Sequence, residues 1–506
     1  SRETLFKIAL MHHLTFNFAE AESAYDEAFA CKVEPVQQTQ AVERLVTALP
    51  EPRQIAPGLE YISDTNALTA HVFNGLLMID CDLNVMPSLA DNFRVSADGL
   101  SYLFQIRATA RWSDGQPVTA HDFVDTWQRA RRISTATAFL LEDMETAEAL
   151  DDHTLEVTLR EPRNYFLYVL AAPASYPWPR HLCERFGEEW HAERPLVSNG
   201  PFVVDEVGDD HITLLANPQF DGPRGNLREV EVRFRGAGDK IAQWAAGEFD
   251  ALSTAHGPGE HGDDTQLTVA PALGTTMLGF HPQAPFDDPR VRSAVATAVT
   301  AVGGEMERLG MAARPARGGG LMPPAMPGHM HHARAEPTLE QARSLLADAG
   351  FADGAGMPAV RVALPTYLAA LESTLVDGLA QLGLDNELTW IERGSPLSPL
   401  DCHLWLVTWI ADYPDPDGFF RGLLSDRHDR LLEDPDLTAL LAEARASRDR
   451  DERLRLYSEV DRRLVEQALL LPVAYSRSVL LTRPWVRSVW ANALTLIRFD
   501  QAMVER

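Results

Sequence analysis

Three carboxylates lie within a short aromatic stretch of this chain, Thr-Trp-Ile-Ala-Asp-Tyr-Pro-Asp-Pro-Asp at residues 408–417. The apolar run at 404–407 is typical of a buried strand, and the prolines that follow are strong turn signals. The first acid, Asp412, therefore falls where a core strand ends and a loop begins. Burying a carboxylate there is costly unless a cation or hydrogen-bond donors satisfy it. A ligand ammonium group would do so. An Asp that only caps the turn is the alternative, and this window alone leaves both open.

A second group of possible ligands consists of histidines and methionines close together in the chain: His329, His331, His332, Met326 and Met330. Imidazole and thioether groups are ligands that soft metals prefer. The cluster falls within 313–337, a segment rich in Gly, Pro and Met, which is typical of a mobile surface loop. We favour the loop, and we predict no metal site and no cofactor.

Motifs for catalysis or nucleotide binding are absent from the sequence. It contains no Gly-x-Ser-x-Gly elbow, no His-Glu-x-x-His motif, no phosphate-binding loop and no dinucleotide fingerprint. The three glycines at 318–320 lack the lysine and the strand context that a phosphate-binding loop needs. We therefore predict that the protein is not an enzyme.

Length and charge restrict the class of protein. A chain of 506 residues exceeds what one hydrophobic core supports, so we expect two or three domains. The net charge of −28 argues against a nucleic-acid surface on this chain and is compatible with cationic ligands.

Cysteines and targeting signals leave the compartment open. The four cysteines, Cys31, Cys81, Cys183 and Cys402, lie far apart and could form two disulfides whose pairing the sequence does not determine. No apolar run approaches the length of a membrane span, and we find no signal peptide. The first residue is Ser1, as a processed or trimmed chain would begin.

The elements that must position these residues begin with an N-terminal segment, residues 1–50, that we predict to be helical. Residues 18–30 carry Ala21, Tyr25 and Ala28 at helical spacing, similar to the small-large-small pattern of a tetratricopeptide helix pair. A plain amphipathic hairpin is the alternative. One repeat cannot bury its own apolar face, so it must dock on something or continue an array. The prolines at 49–58 indicate a linker.

From residue 60 onward the pattern is a mixture of strands and helices. Alternating residues predict strands at 100–106, 154–159, 212–215 and 230–234. Thr119 and Asp122 form a capping-box pattern for a helix at 122–132. Further helices are predicted at 241–246, 291–299, 435–447 and 451–467, the last two with solvated Arg/Glu faces. We expect Trp112 and Trp127 in the core.

The ordered motifs resemble one family. Val-Phe-Asn-Gly-Leu at 72–76 and Met-Pro-Ser-Leu-Ala-Asp at 86–91 are similar to the first-domain entry of extracytoplasmic solute-binding proteins of family 5, the oligopeptide- and dipeptide-binding components of ABC importers. The most specific match is Arg-Trp-Ser-Asp-Gly-Gln-Pro-Val-Thr-Ala-His-Asp-Phe-Val at 111–124. Asn-Gly-Pro-Phe at 199–202, Pro-Phe-Asp-Asp-Pro-Arg-Val-Arg at 285–292 and the segment 409–419 follow in the family's order. The resemblance covers residue 50 to the C-terminus.

The resemblance implies the fold class. We expect an α/β protein with the two-lobed periplasmic-binding-protein-like fold (type II, cluster C), an additional subdomain and a short helical, tetratricopeptide-like extension at 1–50. Lobe I comprises 50–76, 196–266 and 480–506, with the extra subdomain 77–195 packed on it. Lobe II comprises 267–479. The family binds its ligand in the cleft between the lobes.

The resemblance also implies site residues. The family's Trp-x-Ala-Asp-Tyr acid, which holds a peptide's terminal ammonium, matches Asp412. The backbone of Thr408 and Ile410 then pairs with the peptide as an added strand, while Trp409 lines a side-chain pocket. The remaining expected contacts are Phe139, where some members have Tyr, Tyr61 and Ser63 on the first lobe, and His281, where many relatives have Asn. Asp415 and Asp417 are expected to form the turn.

The function implied is a transport receptor that captures a peptide or similar small solute and delivers it to an ABC-type permease. Such a protein is extracytoplasmic, in the periplasm or at the cell surface, and we expect a monomer that binds no nucleic acid itself. The alternative is the cytoplasmic ligand-sensing domain of a transcription regulator whose DNA-binding head lies upstream. A signal peptide upstream would favour transport, and a winged-helix head would favour regulation.

Overall fold

The computed structural model describes residues 1–31, 41–52, 54–59, 63–133, 135, 137–234, 240–254, 264–299, 301–331, 338–392, 401–424 and 434–506. The chain divides into two compact units. The first comprises Ser1–Thr254, a stretch that ends at Thr268, and Leu480–Arg506; the second comprises Val269–Val479. The resemblance assigns 267–479 to the second lobe. A separate subdomain at 77–195 stays a prediction.

Helices and strands alternate along the chain. The α-helices are α1 (Arg2–Leu14), α2 (Phe18–Ala30), α3 (Ser63–Val72), α4 (Ala120–Arg132), α5 (Phe166–Ala171), α6 (Arg180–Phe186), α7 (Lys240–Ala245), α8 (Pro289–Val299), α9 (Ala301–Arg308), α10 (Leu339–Asp348), α11 (Glu372–Ala380), α12 (Pro416–Leu423), α13 (Pro435–Ala446) and α14 (Arg450–Glu466). Short 3-10 helices cover Ala138–Leu141, Pro173–Ser175, Gly187–Ala192, Ala352–Gly354 and Thr366–Leu371. None of the helices described is both long and apolar enough to cross a membrane.

The strands are β1 (Glu43–Leu49), β2 (Leu77–Ile79), β3 (Val85–Pro87), β4 (Ala90–Val95), β5 (Ser101–Ile106), β6 (Met144–Ala149), β7 (Thr154–Leu159), β8 (Phe202–Val207), β9 (His211–Ala216), β10 (Leu227–Phe234), β11 (Ala251–Thr254), β12 (Gln266–Phe280), β13 (Ala313–Pro315), β14 (Val360–Pro365), β15 (Asn386–Ile391), β16 (Leu404–Ile410), β17 (Leu470–Thr482), β18 (Val486–Arg487), β19 (Trp490–Ala491), β20 (Ile497–Arg498) and β21 (Met503–Val504). The predicted strands and helices after residue 60 correspond to β5, β7, β9, β10, α4, α7, α8, α13 and α14.

Strand β1 corrects the prediction that residues 1–50 are helical. It pairs in parallel with β10 in a sheet of order β1-β10-β9-β8, and its residues from Leu45 to Leu49 are buried. A run of consecutive apolar residues is typical of a buried parallel strand. Over so short a length, periodicity does not distinguish it from a buried helix, which is why the sequence interpretation failed here.

The helical hairpin α1–α2 packs on the first unit through aromatic rings. The ring centroid of Phe93 in β4 lies 4.7 Å from that of Tyr25 and 5.4 Å from that of Phe29. Phe6 of α1 contacts Phe29 edge-on at 5.1 Å. Such edge-to-face pairs stabilise beyond the area they bury. The apolar face of the hairpin is therefore covered by β4; its kinship to a tetratricopeptide repeat stays a prediction.

A capping box fixes the start of α4, as the sequence predicted. The carboxylate of Asp122 accepts the backbone N–H of Thr119 at 2.7 Å and the backbone N–H of Arg180 at 3.0 Å. Trp112 and Trp127 are buried, which confirms their expected place in the core.

Buried Asp250 ties three distant stretches of the first unit together. It accepts hydrogen bonds from the backbone N–H of Val46 at 2.9 Å and from the indole of Trp485 at 3.0 Å. The guanidinium of Arg506 donates to both of its carboxylate oxygens, at 2.7 and 2.8 Å. Because a buried carboxylate must be satisfied, this acid holds β1 and residues near the C-terminus in one register.

The second unit contains a mixed sheet of order β17-β12-β16-β14-β15, with β13 also pairing β17. Strand β16 is antiparallel to β12 and parallel to β14. Its residues 404–406 are buried, as expected for a core strand.

The segment after β13 is not a mobile surface loop over its described part, 313–331. Leu321 and Met322 are fully buried, and their backbone N–H groups donate to the two carboxylate oxygens of Asp461 at 2.7 and 3.0 Å. The hydroxyl of Thr275 donates to the Leu321 carbonyl at 2.7 Å. The segment thus packs into the core because a buried acid on α14 binds its backbone. His332 lies outside the described residues.

Helix α14 has the solvated Arg/Glu face that its charges predicted, and it also carries buried charged residues. Arg453 and Asp461 are both buried. Only its outer face carries exposed Arg/Glu pairs, such as Arg455 with Glu452.

Two buried histidines of the first unit, His71 and His13, have lowered pKa values. The ring of His71 stacks on Phe499 with centroids 3.5 Å apart, and its Nε2 accepts the backbone N–H of Phe499 at 3.0 Å. Burial, and after it the guanidinium of Arg498, lowers the pKa of His71 to about 3. Burial also lowers the pKa of His13 to about 3. Both rings are therefore neutral in the folded protein.

We predict that stability falls as the pH drops below about 6.5, the ordinary His pKa. The unfolded chain then takes up protons that the folded chain does not, so the stabilisation present above pH 6.5 is lost progressively toward pH 3. Each histidine contributes a loss of about 2 kcal/mol between pH 7 and pH 5. Urea unfolding at both pH values measures it. In His71→Asn the loss of stability between pH 7 and pH 5 should be smaller by the contribution of one histidine. An unchanged loss would contradict the lowered pKa assigned to His71.

Candidate functional site

The end of β16 exposes one of its two hydrogen-bonding edges. On one side, β16 pairs with β12 along its whole length, from Phe280↔Leu404 to Gly274↔Ile410. On the other side, β14 pairs with it only at Leu404 and Trp405. Past Trp405, the described part of the chain provides no strand on that side. An extended ligand backbone could add there as a further strand.

Two hydrogen bonds, one on each side of β16, show which way its backbone N–H and C=O groups point at this edge. The N–H of Ala411 donates to the Leu273 carbonyl at 2.9 Å, toward the β12 side. The N–H of Thr408 instead donates to the hydroxyl of Tyr367 at 3.0 Å, on the other side. Because backbone groups alternate along a strand, those of Thr408 and Ile410 point away from β12. This is the arrangement that strand addition requires.

Sequence reasoning missed Tyr367. It belongs to the 3-10 helix Thr366–Leu371 and is half-buried. The order of the strands could have indicated it. This helix directly follows β14, the parallel neighbour of β16, and the ends of neighbouring parallel strands lie together.

Side chains at the end of β16 are held by their neighbours. The hydroxyls of Thr408 and Thr276 lie 2.8 Å apart across the strand pair. The indole of Trp409 donates to the Phe419 carbonyl at 3.0 Å, and the residue is only 9% exposed. Trp409 therefore packs against α12 and offers little surface to a ligand pocket.

Asp415 starts α12 and binds an arginine. Its Oδ1 accepts the backbone N–H of Asp417 at 2.9 Å, which caps the helix. The guanidinium of Arg453 donates to both carboxylate oxygens at 2.8 and 2.6 Å. Burial by itself would lower the pKa of Arg453, but the charge of Asp415 raises it above the ordinary value. Both groups are buried, so this is an internal ion pair rather than a turn former alone.

Asp417 is buried among donors. It accepts hydrogen bonds from the hydroxyls of Tyr413 and Tyr457, both at 2.8 Å, and from Arg445 at 3.0 Å. Burial would raise the pKa of Asp417, but the guanidinium groups of Arg445 and Arg421 lower it well below its ordinary range. Asp417 therefore stays ionised inside the unit and fixes the loop that follows β16.

Asp412 differs from these two acids. It is half-buried, and its backbone N–H donates to the Gly418 carbonyl at 3.2 Å, which closes the turn. Its carboxylate sits directly after the exposed edge at Thr408–Ile410. A carboxylate at this position is suited to a cationic group on a ligand that extends along the edge.

His281 is not brought to this edge. Its Nδ1 lies 3.1 Å from the Cys402 carbonyl, and the residue is buried. It follows Phe280, which pairs with Leu404 at the opposite end of β16, about 20 Å along the strand from Ile410. Because the ring of His281 is buried away from the exposed edge, His281 is not among the ligand contacts proposed below.

The expected residues of the first unit stay predictions. Phe139 lies half-buried in the 3-10 helix Ala138–Leu141. Ser63 is the first residue of α3. Tyr61 lies outside the described residues.

Metal ligands do not gather among the described residues, where no three His, Cys, Asp or Glu side chains lie close enough to hold an ion. The Nδ1 of His329 lies 2.7 Å from the Met322 carbonyl, and its ring lies 5.1 Å from that of His331. None of the four cysteines, all of which are among the described residues, forms a disulfide.

Comparison with known proteins agrees with the sequence motifs. Residues 84–430, well over half of the chain, match the family described as bacterial extracellular solute-binding proteins, family 5 Middle. The chain is 29% identical over 464 residues to the probable deoxycholate-binding periplasmic protein YgiS of Escherichia coli, covering 82% of this chain and 84% of that protein. It is 28% identical over 475 residues to the periplasmic oligopeptide-binding protein OppA of Salmonella typhimurium, covering 85% and 86%.

Solved structures agree in fold. Haemophilus influenzae OppA in complex with the peptide RPPGFSPFR superposes with a TM-score of 0.80 at 21% identity, covering 93% of this chain and 100% of that one. The Escherichia coli murein tripeptide-binding protein MppA gives a TM-score of 0.80 at 23% identity, covering 94% and 100%. These matches confirm the two-lobed type II fold class predicted from the sequence. The chain belongs to the bacterial extracellular solute-binding proteins of family 5.

Proposed function

We propose that this protein captures a peptide or similar small solute and delivers it to an ABC-type membrane permease. The observation that carries the proposal is the end of β16, where the backbone of Thr408 and Ile410 points away from β12 and Asp412 follows directly. A peptide carries the complementary groups: a backbone that pairs as a strand and a terminal ammonium.

Asp412 is the proposed ammonium contact, and its neighbours support this choice. Asp415 is committed to Arg453, and Asp417 to Arg445 and the two tyrosine hydroxyls. Of these three acids, Asp412 is the one with substantial exposure. An ammonium bound there gains charge-assisted hydrogen bonds of about 1.5–3 kcal/mol each.

Thr408 and Ile410 are the proposed backbone contacts. The N–H of Thr408 already donates to Tyr367, so a ligand carbonyl must replace that hydroxyl, or the ligand must bind the Thr408 carbonyl instead. Tyr367 therefore joins the proposed ligand contacts. The cleft between the lobes, with Phe139, Tyr61 and Ser63, stays a prediction from the family resemblance.

The relatives support the proposal by what they bind. OppA of Salmonella typhimurium is named for oligopeptides, and DppA of Helicobacter pylori was solved with the peptide STSA. YgiS, by contrast, is named for deoxycholate, so a solute other than a peptide is included in the proposal. These relatives are periplasmic proteins, which favours an extracytoplasmic site of action and an ABC permease as partner over a cytoplasmic sensor.

We predict that bound peptide leaves the protein chemically unchanged, because the sequence motifs include no catalytic constellation. Mass spectrometry of a di- to pentapeptide panel, incubated with the protein and then released by denaturation, should recover every peptide intact. Peptide cleavage that co-purifies with the protein and is abolished by a single point substitution would contradict the proposal.

A further prediction concerns the substitution Asp412→Asn. Asn retains the shape and one acceptor oxygen but loses the charge, so the affinity for a peptide with a free amine should fall roughly tenfold to a few hundredfold. Isothermal titration calorimetry with the tightest binder of the panel measures this. The N-acetylated form of the same peptide should bind wild type and variant equally, because it carries no ammonium.

Asp415→Asn is the matched control in the same turn. It removes the charge of the carboxylate that binds the buried guanidinium of Arg453 through two hydrogen bonds, so stability should fall by about 3–5 kcal/mol. Asp412→Asn should melt close to wild type. If Asp412→Asn instead lowers the melting temperature and keeps its affinity for the free-amine peptide, Asp412 only orders the turn.

A further inference from the structure

The second unit contains a cavity of about 470 Å³ away from the end of β16. It lies among α8, α9, α14, β12, β17 and the segment after β13. Most of its lining is small or apolar: Leu278, Ala296, Val299, Ala316, Val465 and Val473. This volume is within the range of small-molecule sites in proteins.

The cavity is separate from the proposed peptide edge. Leu278, which lines it, pairs with Leu406, whereas the edge is centred on the pair Gly274↔Ile410. Four residues of strand separate the two pairs, about 13 Å. Residues 408–412 do not line the cavity.

One charged side chain lines the cavity, that of Arg317, which is exposed. Within the described ranges, no ion pair joins it to an acid, and the lining includes no Asp or Glu. The nearby acid Glu305 on α9 is paired with Arg308. Within the part of the chain that the structure describes, this exposed guanidinium beside apolar walls has no acidic partner and is available to an anionic ligand.

We propose that this cavity is a second ligand site, for a small amphipathic carboxylate. The apolar walls would take a short hydrocarbon chain, whose burial away from water is favourable. The guanidinium of Arg317 would bind the carboxylate head, for which its planar donor geometry is suited. This site is independent of the peptide contacts proposed above.

A substitution at Gly304 can test whether a ligand binds in this cavity. It lies exposed on α9 and lines the cavity, and a Cβ added there would meet no atom within 4 Å. A leucine at this position would therefore occupy space at the cavity without displacing backbone, and it is a better helix former than glycine. Gly304→Ala is the matched control, because it makes the same backbone change with little added volume.

The test is calorimetric titration of the full chain with octanoate and with octanol. Octanoate should bind wild type and Gly304→Ala alike and should lose at least about tenfold affinity in Gly304→Leu. Arg317→Gln should lower the affinity for octanoate about tenfold and leave the affinity for octanol unchanged, because only the carboxylate binds the guanidinium. Peptide affinity should stay at the wild-type value in all three variants, so this test and that of Asp412 fail independently.

Several results would overturn the proposal. Octanoate that does not bind wild type, or that binds Gly304→Leu as tightly as Gly304→Ala, excludes the cavity as the site. If octanoate binds wild type and Arg317→Gln with equal affinity, the guanidinium of Arg317 does not recognise the carboxylate.

Discussion

The second unit depends on the satisfaction of two buried carboxylates, Asp415 and Asp417. A charge without partners in a protein interior costs several kcal/mol, so each acid must be bound by donors from elsewhere in the chain. Arg453 and Arg445 supply them from α14 and α13, and Tyr413 and Tyr457 complete the set. These contacts fix the start of α12 directly after β16. They thereby hold the end of the strand, and Asp412 with it, in one position.

The same constraint organises other parts of the molecule. Asp461 binds the backbone of Leu321 and Met322 and brings a glycine-rich segment into the core. Asp250 joins β1 to Trp485 and Arg506. In each case one buried acid connects stretches of chain that lie far apart in sequence. The acidic composition of this protein is therefore partly structural, and the net charge by itself says little about its ligands.

Strand pairing explains why the end of β16 is suited to an extended ligand. β14 leaves β16 after Trp405, while β12 continues beside it to Ile410. An edge with outward-pointing backbone groups is a liability in a soluble protein unless it is covered or used. Here Tyr367 covers one group with its hydroxyl. A side chain is easier to displace than a strand, and an edge covered in this way can open to a ligand backbone.

Features that depend on neighbouring residues and on ordered motifs could be predicted from the sequence. These include the family, the strand before Asp412, the turn after it and the capping box of Thr119 and Asp122. The contacts between distant residues could not be predicted in this way and are known from the three-dimensional structure. Arg445, Arg453 and Tyr457, which bind Asp415 or Asp417, come from 28 to 40 residues away. Tyr367 reaches Thr408 from 41 residues away. Turn chemistry and helix capping act over a few residues, whereas the partner of a buried charge depends on how distant segments cross in the core.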